Sequence, residues 1–448
     1  VGERRSRSST DTWILVGLVG VVLVLAVPYG LRGPGYLRED WEPLRNAAFD
    51  GWWAAAGGRV ALSRPVSGVV FAVLFGLVGA HPLVVFAVLT AANAVVAVLI
   101  FLVAREVLPR RPALVTALVW TLLPTHTALS NWPSAAPALF ALALVLVGTL
   151  LLMRAVRDGR SVWPAIGIMA ASALCYEATL PVAAAAVVAV PPLVVGRMRP
   201  DVVRRGLVLV PVGLWAALAS PKPEPEMIRL ADIVGSNFGW GINPNPVVKL
   251  VIGLPILVGV TVAFARLIPS DLRPRTAVGE RLVAAGVAVV VLGVMPFVGF
   301  GQDIDFVAQG DRANMVCAVG AAIVLAGLAE MIRAGPVAAV ALVAVLAVVA
   351  LPTRWDRDRD YAETAHDVKR VLAHVERTLP SGVRAAVIGT RPISHDGVEG
   401  LENDWDAGLA FQHRFHDPDF RVRYVYSERE LVGEPNAFDV DTILRRSE

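Results

Sequence analysis

"SRPVSGVVFAVLFGLVGAHP", residues 63–82, decides how this chain is threaded. Its apolar part, Pro65 to Ala80, is short. A longer apolar run, Pro82 to Ala104, follows at once and ends in the basic "REVLPRRP". If both runs crossed a bilayer, Arg105, Arg110 and Arg111 would stand outside and every later basic loop would be inverted. Cytoplasmic loops carry the excess of Lys and Arg, so that threading is disfavoured. If Pro65 to Ala80 only lies in the interface, the pattern closes.

Working outward, the first span is expected over about Trp13 to Leu31, with Arg4, Arg5 and Arg7 holding its start in the cytoplasm. The basic start resembles a signal peptide, but no small-x-small cleavage site follows cleanly, so it reads as a retained span. "REVLPRRP", "RAVRDGR", "GRMRPDVVRR", "ARLIPSDLRPR" and "EMIRAG" are then inside. "PTHTALSNWPS", the turn around "YEATL", "PKPEPEMIRLADIVGSNFGWGINPNP" and "GFGQDIDFVAQGDR" are outside. A last span, about Val337 to Leu351, delivers the C-terminus outside.

Composition agrees with this class. The 448 residues are 56% hydrophobic and 18% charged, whereas a soluble chain carries roughly 25% charged residues. The expected fold is an α-helical polytopic membrane protein of about eleven transmembrane helices. Residues 1–352 form the membrane domain, with an interfacial first external loop over about 32–81. Residues 353–448 form a small extracytoplasmic α/β domain. In that tail "RDRDYAETAHDVKRVLAHVERTL" has apolar residues at helical spacing, and "WDAGLAFQHRF" reads as a second helix. "RAAVIG" and "RVRYVYS" read as strands. The tail has no glycine-rich nucleotide fingerprint. The net charge of +3 is spread over membrane loops and does not suggest nucleic-acid binding. Cys175 and Cys317 lack metal-ligand spacing and read as packing residues. Only three lysines among many arginines, with abundant Ala, Val and Gly, suggest a GC-rich bacterial genome.

The external loops hold the residues with chemistry. In "LREDWEPLR", Glu39 and Asp40 stand side by side before Trp41. A carboxylate there could act as a general base toward an acceptor hydroxyl, although adjacent acids also mark an ordinary solvated juxtamembrane face. Arg64 opens the interfacial segment. His126 lies in "PTHTALSNWP", and a lone His in a loop is commonly a hydrogen-bonding residue. Glu177, in "CYEATLP", is the most deeply placed acid of the membrane half and suits a polar cavity, or an outward turn. In "DIDFVAQGDRANM", Arg312 could hold a lipid phosphate, or pair with Asp311. No His/Cys metal cluster is visible; acidic pairs could recruit a divalent cation, but nothing requires one.

Taken in order, these motifs resemble the GT-C superfamily of integral-membrane glycosyltransferases, in its protein O-mannosyltransferase and TMTC-like branch. The matching pieces are the acidic pair Glu39-Asp40 after the first span, the Pro-containing segment 63–82, and Pro124, His126 and Thr127 as "hPxHT". Cys175, Glu177 and Ala178 match an "S/C-x-E-A" turn, and Gly310, Asp311 and Arg312 match "G-(D/E)-R". The resemblance implies a polyprenyl-phosphate sugar as donor and an envelope glycan, lipid or protein as acceptor, with inverting transfer on the outer face of the plasma membrane. It implies Asp40, or Glu39, as the base. Arg312, with Arg64, would bind the leaving lipid phosphate, and Asp311, Glu177, His126 and Trp41 would contact substrate. The rival readings are a transporter or flippase, a non-catalytic envelope assembly protein, and a ligase or polymerase using a lipid-diphosphate glycan. A transporter usually shows mid-membrane charges or inverted repeats, and neither is visible here.

Overall fold

The computed structural model describes residues 9–57, 62–79, 81–219, 277–300, 314–331, 335–389, 391–396 and 398–445. The membrane half contains α1 (Ser9–Arg32), α2 (Trp41–Asp50), α3 (Pro65–Phe71), α4 (Pro82–Val107), α5 (Arg110–Leu122), α6 (Ala136–Asp158) and α7 (Trp163–Cys175). After these come α8 (Leu180–Val195), α9 (Leu209–Ala219), α10 (Ala277–Phe300), α11 (Met315–Met331) and α12 (Gly335–Thr378). Helix α1 shows the logic of the class. Leu18, Val22, Leu25 and Tyr29 form a buried stripe at helical spacing, while Val16, Leu23, Val24, Val27 and Leu31 remain exposed. A helix apolar on every side has its second apolar face toward lipid.

Among the described residues, five helices are long and apolar enough to cross a membrane: Asp11–Arg32, Pro82–Val107, Pro133–Asp158, Glu177–Val195 and Ala339–Thr378. The expectation of about eleven is therefore corrected. Prolines and polar turns cut several of the other apolar runs short. Helices α5 and α7 have 13 residues each and α11 has 17. At 1.5 Å per residue, 13 residues reach only about 20 Å, against roughly 30 Å of hydrocarbon. The expected loops over 220–276 and the motif at 303–312 lie outside the described residues. The segment after Arg64 is short in the structure as well: α3 continues as a π-helix, Ala72–Leu77. It packs closely on the turn Trp52–Ala56, where a Cβ on Gly76 would lie 2.1 Å from the Trp52 carbonyl.

Ion pairs and hydrogen bonds sort the loops to two ends. At one end Arg110 bonds Asp11 at 2.7 Å, and Arg154 and Arg157 bond Glu106 at 3.2 and 2.6 Å. At the other end the turn after α1 meets the start of α6, and Arg64 meets the start of α8.

Helix α12 runs unbroken through Pro352, so the last span and the first tail helix are one element. Beyond it lie β1 (Ala385–Gly389), β2 (Ile393–His395), β3 (Val398–Leu401), α13 (Asp404–Phe415), β4 (Arg421–Val425), β5 (Ala437–Asp439) and α14 (Val440–Arg445). Strand β1 is the centre of a parallel sheet ordered β4-β1-β5, with Ala385 opposite Arg421 and Val387 opposite Ala437. Its buried run Ala386, Val387 and Ile388 is what a strand covered on both faces requires. Strands β2 and β3 form an antiparallel pair. Ala365, Val368, Val371, Leu372 and Val375 of α12 are all buried, as their spacing predicts. Helix α13 packs on β4 and also on α2 of the first loop, which brings the tail against the membrane half's acidic turn.

Candidate active site

The chain leaves α1 through Gly33 (φ +90°) and turns at a 3-10 helix, Arg38–Asp40. Gly35 allows this turn to sit on α12: a Cβ there would lie 2.7 Å from the Ala365 Cβ. Asp40 closes the turn from both sides. Its N–H donates to the Leu37 carbonyl (2.9 Å), and its Oδ2 accepts from the Leu37 N–H (2.8 Å). Its Oδ1 accepts from the Ser134 N–H (2.8 Å) and lies 2.5 Å from the Ser134 hydroxyl. The side chain is fully buried. Burial pushes its carboxyl up to about 7; the bonds from Ser134 and Leu37 pull the other way, and neighbouring Glu39 adds to the rise.

Successive residues of a 3-10 turn point about 120° apart, so the adjacent acids face different surroundings. Asp40 faces Ser134, while Glu39, half-buried, lies on the wall of a cavity of about 350 Å³. Glu42 of α2 is on the same wall, its carboxyl raised above the ordinary range by burial and then by Glu39. The first loop also supplies Asn46 and Ala55. The interfacial segment supplies Arg64 and Ser67, the Ser134–Ala138 stretch lines a further side, Tyr176 lies beside it, and Trp405 comes from the tail. Arg64 Nη2 donates to Glu177 Oε1, and its guanidinium carbon stands 5.1 Å from the centre of the Tyr176 ring. The carboxylate thus fixes one edge of a guanidinium that lines the cavity.

Of the residues singled out in the sequence, Glu39 and Arg64 meet on one cavity, with Glu177 behind Arg64. Asp40 is not on its wall. Trp41 is buried, edge-on to Tyr36 with ring centres 5.9 Å apart. His126 lies away from the cavity wall, stacked on Trp120 at 4.6 Å. Burial, then Arg354 and Arg357, press its imidazole down to about 3, so it is neutral. Asp311 and Arg312 lie outside the described residues. Among the described residues, no group of three or more His, Cys, Asp or Glu is arranged to hold a metal ion.

The structure adds residues that the sequence reading did not single out: Ser134, Glu42, Tyr176, Trp405 and Arg38. Arg38 has φ +39°, a conformation that costs a non-glycine residue about 1 kcal/mol or more. It is held by Glu399, by Glu402 at 2.9 Å and by Asp406 at 3.9 Å, all from the tail. No local pattern joins residue 38 to residues 399–406; the clue in the sequence is four acids, Glu399, Glu402, Asp404 and Asp406, around a helix start with no Lys or Arg between Arg391 and Arg414.

The cavity wall from Arg64 to Tyr176 falls within a segment with a known likeness. Residues 63–222 match the family of dolichyl-phosphate-mannose-protein mannosyltransferases. That stretch of the chain is therefore similar to GT-C glycosyltransferases. No curated protein matches the chain. Among solved structures, the archaeal oligosaccharyltransferase AglB from Archaeoglobus fulgidus, in complex with an inhibitory peptide and a dolichol-phosphate, aligns at 12% identity. The alignment covers 93% of this chain and 65% of that one, with a TM-score of 0.41. An Archaeoglobus fulgidus oligosaccharyltransferase in complex with Zn and sulfate aligns at 14% identity, 91% and 62% coverage and a TM-score of 0.37. A form tethered to an acceptor peptide aligns at 12% identity, 92% and 64% coverage and a TM-score of 0.38. The chain thus spans just under two thirds of the length of these structures.

Proposed function

We propose that this chain is a multi-pass membrane glycosyltransferase that moves a sugar from a polyprenyl-phosphate donor to an acceptor hydroxyl at the outer face. The observation that carries this reading is the meeting of Glu39 and Arg64 on one cavity, in a chain whose residues 63–222 match a lipid-phosphate-sugar transferase family. Glu39 is the base: its carboxylate takes the proton of the acceptor hydroxyl as that oxygen bonds to the anomeric carbon. The bond from the anomeric carbon to the phosphate oxygen breaks on the opposite face, with inversion. Polyprenyl phosphate leaves with one more negative charge than it carried as a diester. The Arg64 guanidinium, oriented by Glu177, offsets that charge, and such stabilisation is strongest where water is excluded. Asp40 positions the turn rather than taking the proton: both of its oxygens are already engaged with Ser134 and Leu37. The outward placement rests on the basic loops, with the N-terminus cytoplasmic and the tail outside.

The test uses the full chain in lipid nanodiscs with a labelled polyprenyl-phosphate hexose and an envelope glycan extract. Glu39→Gln lowers transfer by about 10²-fold or more, the weight of a general base. Arg64→Ala lowers it as well, while the fold is kept. Wild-type turnover by Glu39→Gln excludes Glu39 as the base.

A further inference from the structure

The cavity borrows one wall from the C-terminal domain, and that wall is aromatic. Trp405 stands in the first turn of α13 and lines the cavity beside the membrane-half residues, yet remains 48% exposed. Its backbone is fixed, because its N–H donates to Asn403 Oδ1 at 2.9 Å. The next residue, Asp406, is 1% exposed; its N–H bonds the same Asn403 oxygen at 2.9 Å, and its carboxylate faces Arg38. Arg38 precedes Glu39 directly. The indole is thus tied to the same short turn that carries the proposed base, whereas Arg64, the proposed phosphate ligand, comes from another element.

The proposed roles divide the cavity lining between donor and acceptor. The donor phosphate belongs with Arg64. The acceptor belongs with Glu39, because the base must touch the hydroxyl that attacks. Besides Glu39, the same wall offers a second carboxylate, Glu42, and a flat uncharged indole. A pyranose or furanose ring fits that pairing. Its axial C–H bonds lie against a π face, and its hydroxyls donate to carboxylates. A water molecule, or the single hydroxyl of a Ser or Thr side chain, would leave the indole face uncovered.

We propose that Trp405 is the platform on which an acceptor sugar ring stacks, so that the C-terminal domain selects a glycan as the acceptor. This rests on the reading of the cavity as a glycosyl-transfer site and names the acceptor class for it.

The test measures binding without donor. The full chain in nanodiscs is titrated with trisaccharides of mannose, galactose, arabinose and N-acetylglucosamine, and with a Ser/Thr-containing hexapeptide. Binding is read by calorimetry and by saturation-transfer NMR. At least one trisaccharide binds saturably. Trp405→Ala weakens it about tenfold or more, as loss of an aromatic anchor does, and Trp405→Phe restores most of the loss. Thermal unfolding of both variants checks that the half-exposed site has not disturbed the fold. Saturable binding of the hexapeptide alone, binding of no trisaccharide, or equal binding by Trp405→Ala and wild type each overturns the proposal. Since no donor is present, the result is independent of transfer: a fully active Glu39→Gln enzyme would remove the base and leave the platform standing.

Discussion

Asp40→Asn separates a positioning acid from a catalytic one, and its effect can be worked from the hydrogen bonds. The two carboxylate oxygens serve three donors: Leu37 N–H on Oδ2, and Ser134 N–H and hydroxyl on Oδ1. An asparagine amide has one acceptor oxygen. Placed toward Ser134, it keeps two of those bonds and turns an NH2 group against the Leu37 N–H. Two buried donors then lack acceptors, at about 1–3 kcal/mol each. Against this stands relief from burying a charge. The Asp40 carboxyl moves from 3.8 to about 7 on folding, which is worth about 4 kcal/mol at roughly 1.4 kcal/mol per tenfold. The sign follows from proton binding. Between about pH 4 and pH 7 the native state holds a proton that the unfolded chain has released, so stability falls as pH rises through that window and is flat above it. Wild type therefore loses stability from pH 4.5 to pH 7.5, while Asp40→Asn loses less. The mutant's deficit is largest near pH 4.5 and shrinks toward neutrality. Thermal unfolding of both proteins in nanodiscs at pH 4.5, 6 and 7.5 reads this directly. Parallel pH slopes for the two would refute the assignment of a buried, proton-binding acid to Asp40.

Other perturbations have defined outcomes. Arg38→Ala removes the cation shared by Glu399, Glu402 and Asp406. It should raise hydrogen exchange across α13 severalfold while leaving α4 unchanged; unchanged exchange in α13 would show that these contacts do not dock the tail. His126→Phe should leave the pH profile of transfer unchanged between pH 5.5 and 8, because the imidazole is already neutral there with its value near 3. That group contributes stability that is lost as pH falls from about 6.5 toward 3, so the mutant should also be less acid-sensitive in thermal unfolding. A shifted alkaline or acid limb of activity would place His126 in the chemistry instead. Glu177→Gln leaves a neutral partner for Arg64 and should lower kcat and kcat/KM together, because the guanidinium it orients acts on charge that develops as the phosphate leaves. A raised KM for donor with kcat unchanged would mean that the pair serves ground-state binding only.

What could be read from the sequence follows the range of the forces involved. Apolar runs over 82–107 and the tail's helical spacing at Ala365, Val368 and Val371 are local, and the structure has helices there. The number of spans was overestimated because hydropathy does not register where a run is cut. Helix α5 ends at Leu122, just before Pro124, and α7 ends at Cys175, before the turn at Glu177. Glu39 and Arg64 were visible as charged residues at the edges of apolar segments. Which of Glu39 and Asp40 faces the cavity was not, because that depends on Ser134, 94 residues away in sequence. Trp405 was likewise readable as a helix residue only; its place on the cavity depends on α13 docking to α2.

The central claim is that one cavity joins a lipid phosphate at Arg64 to a sugar beside Glu39. A cryo-EM structure of Glu39→Gln in nanodiscs with a polyprenyl-phosphate hexose tests it most directly. The expected density has the phosphate on the Arg64 guanidinium, the lipid tail leading toward the bilayer, and the anomeric carbon facing residue 39. A phosphate bound elsewhere, with the cavity between residues 39 and 64 holding no sugar, would contradict it.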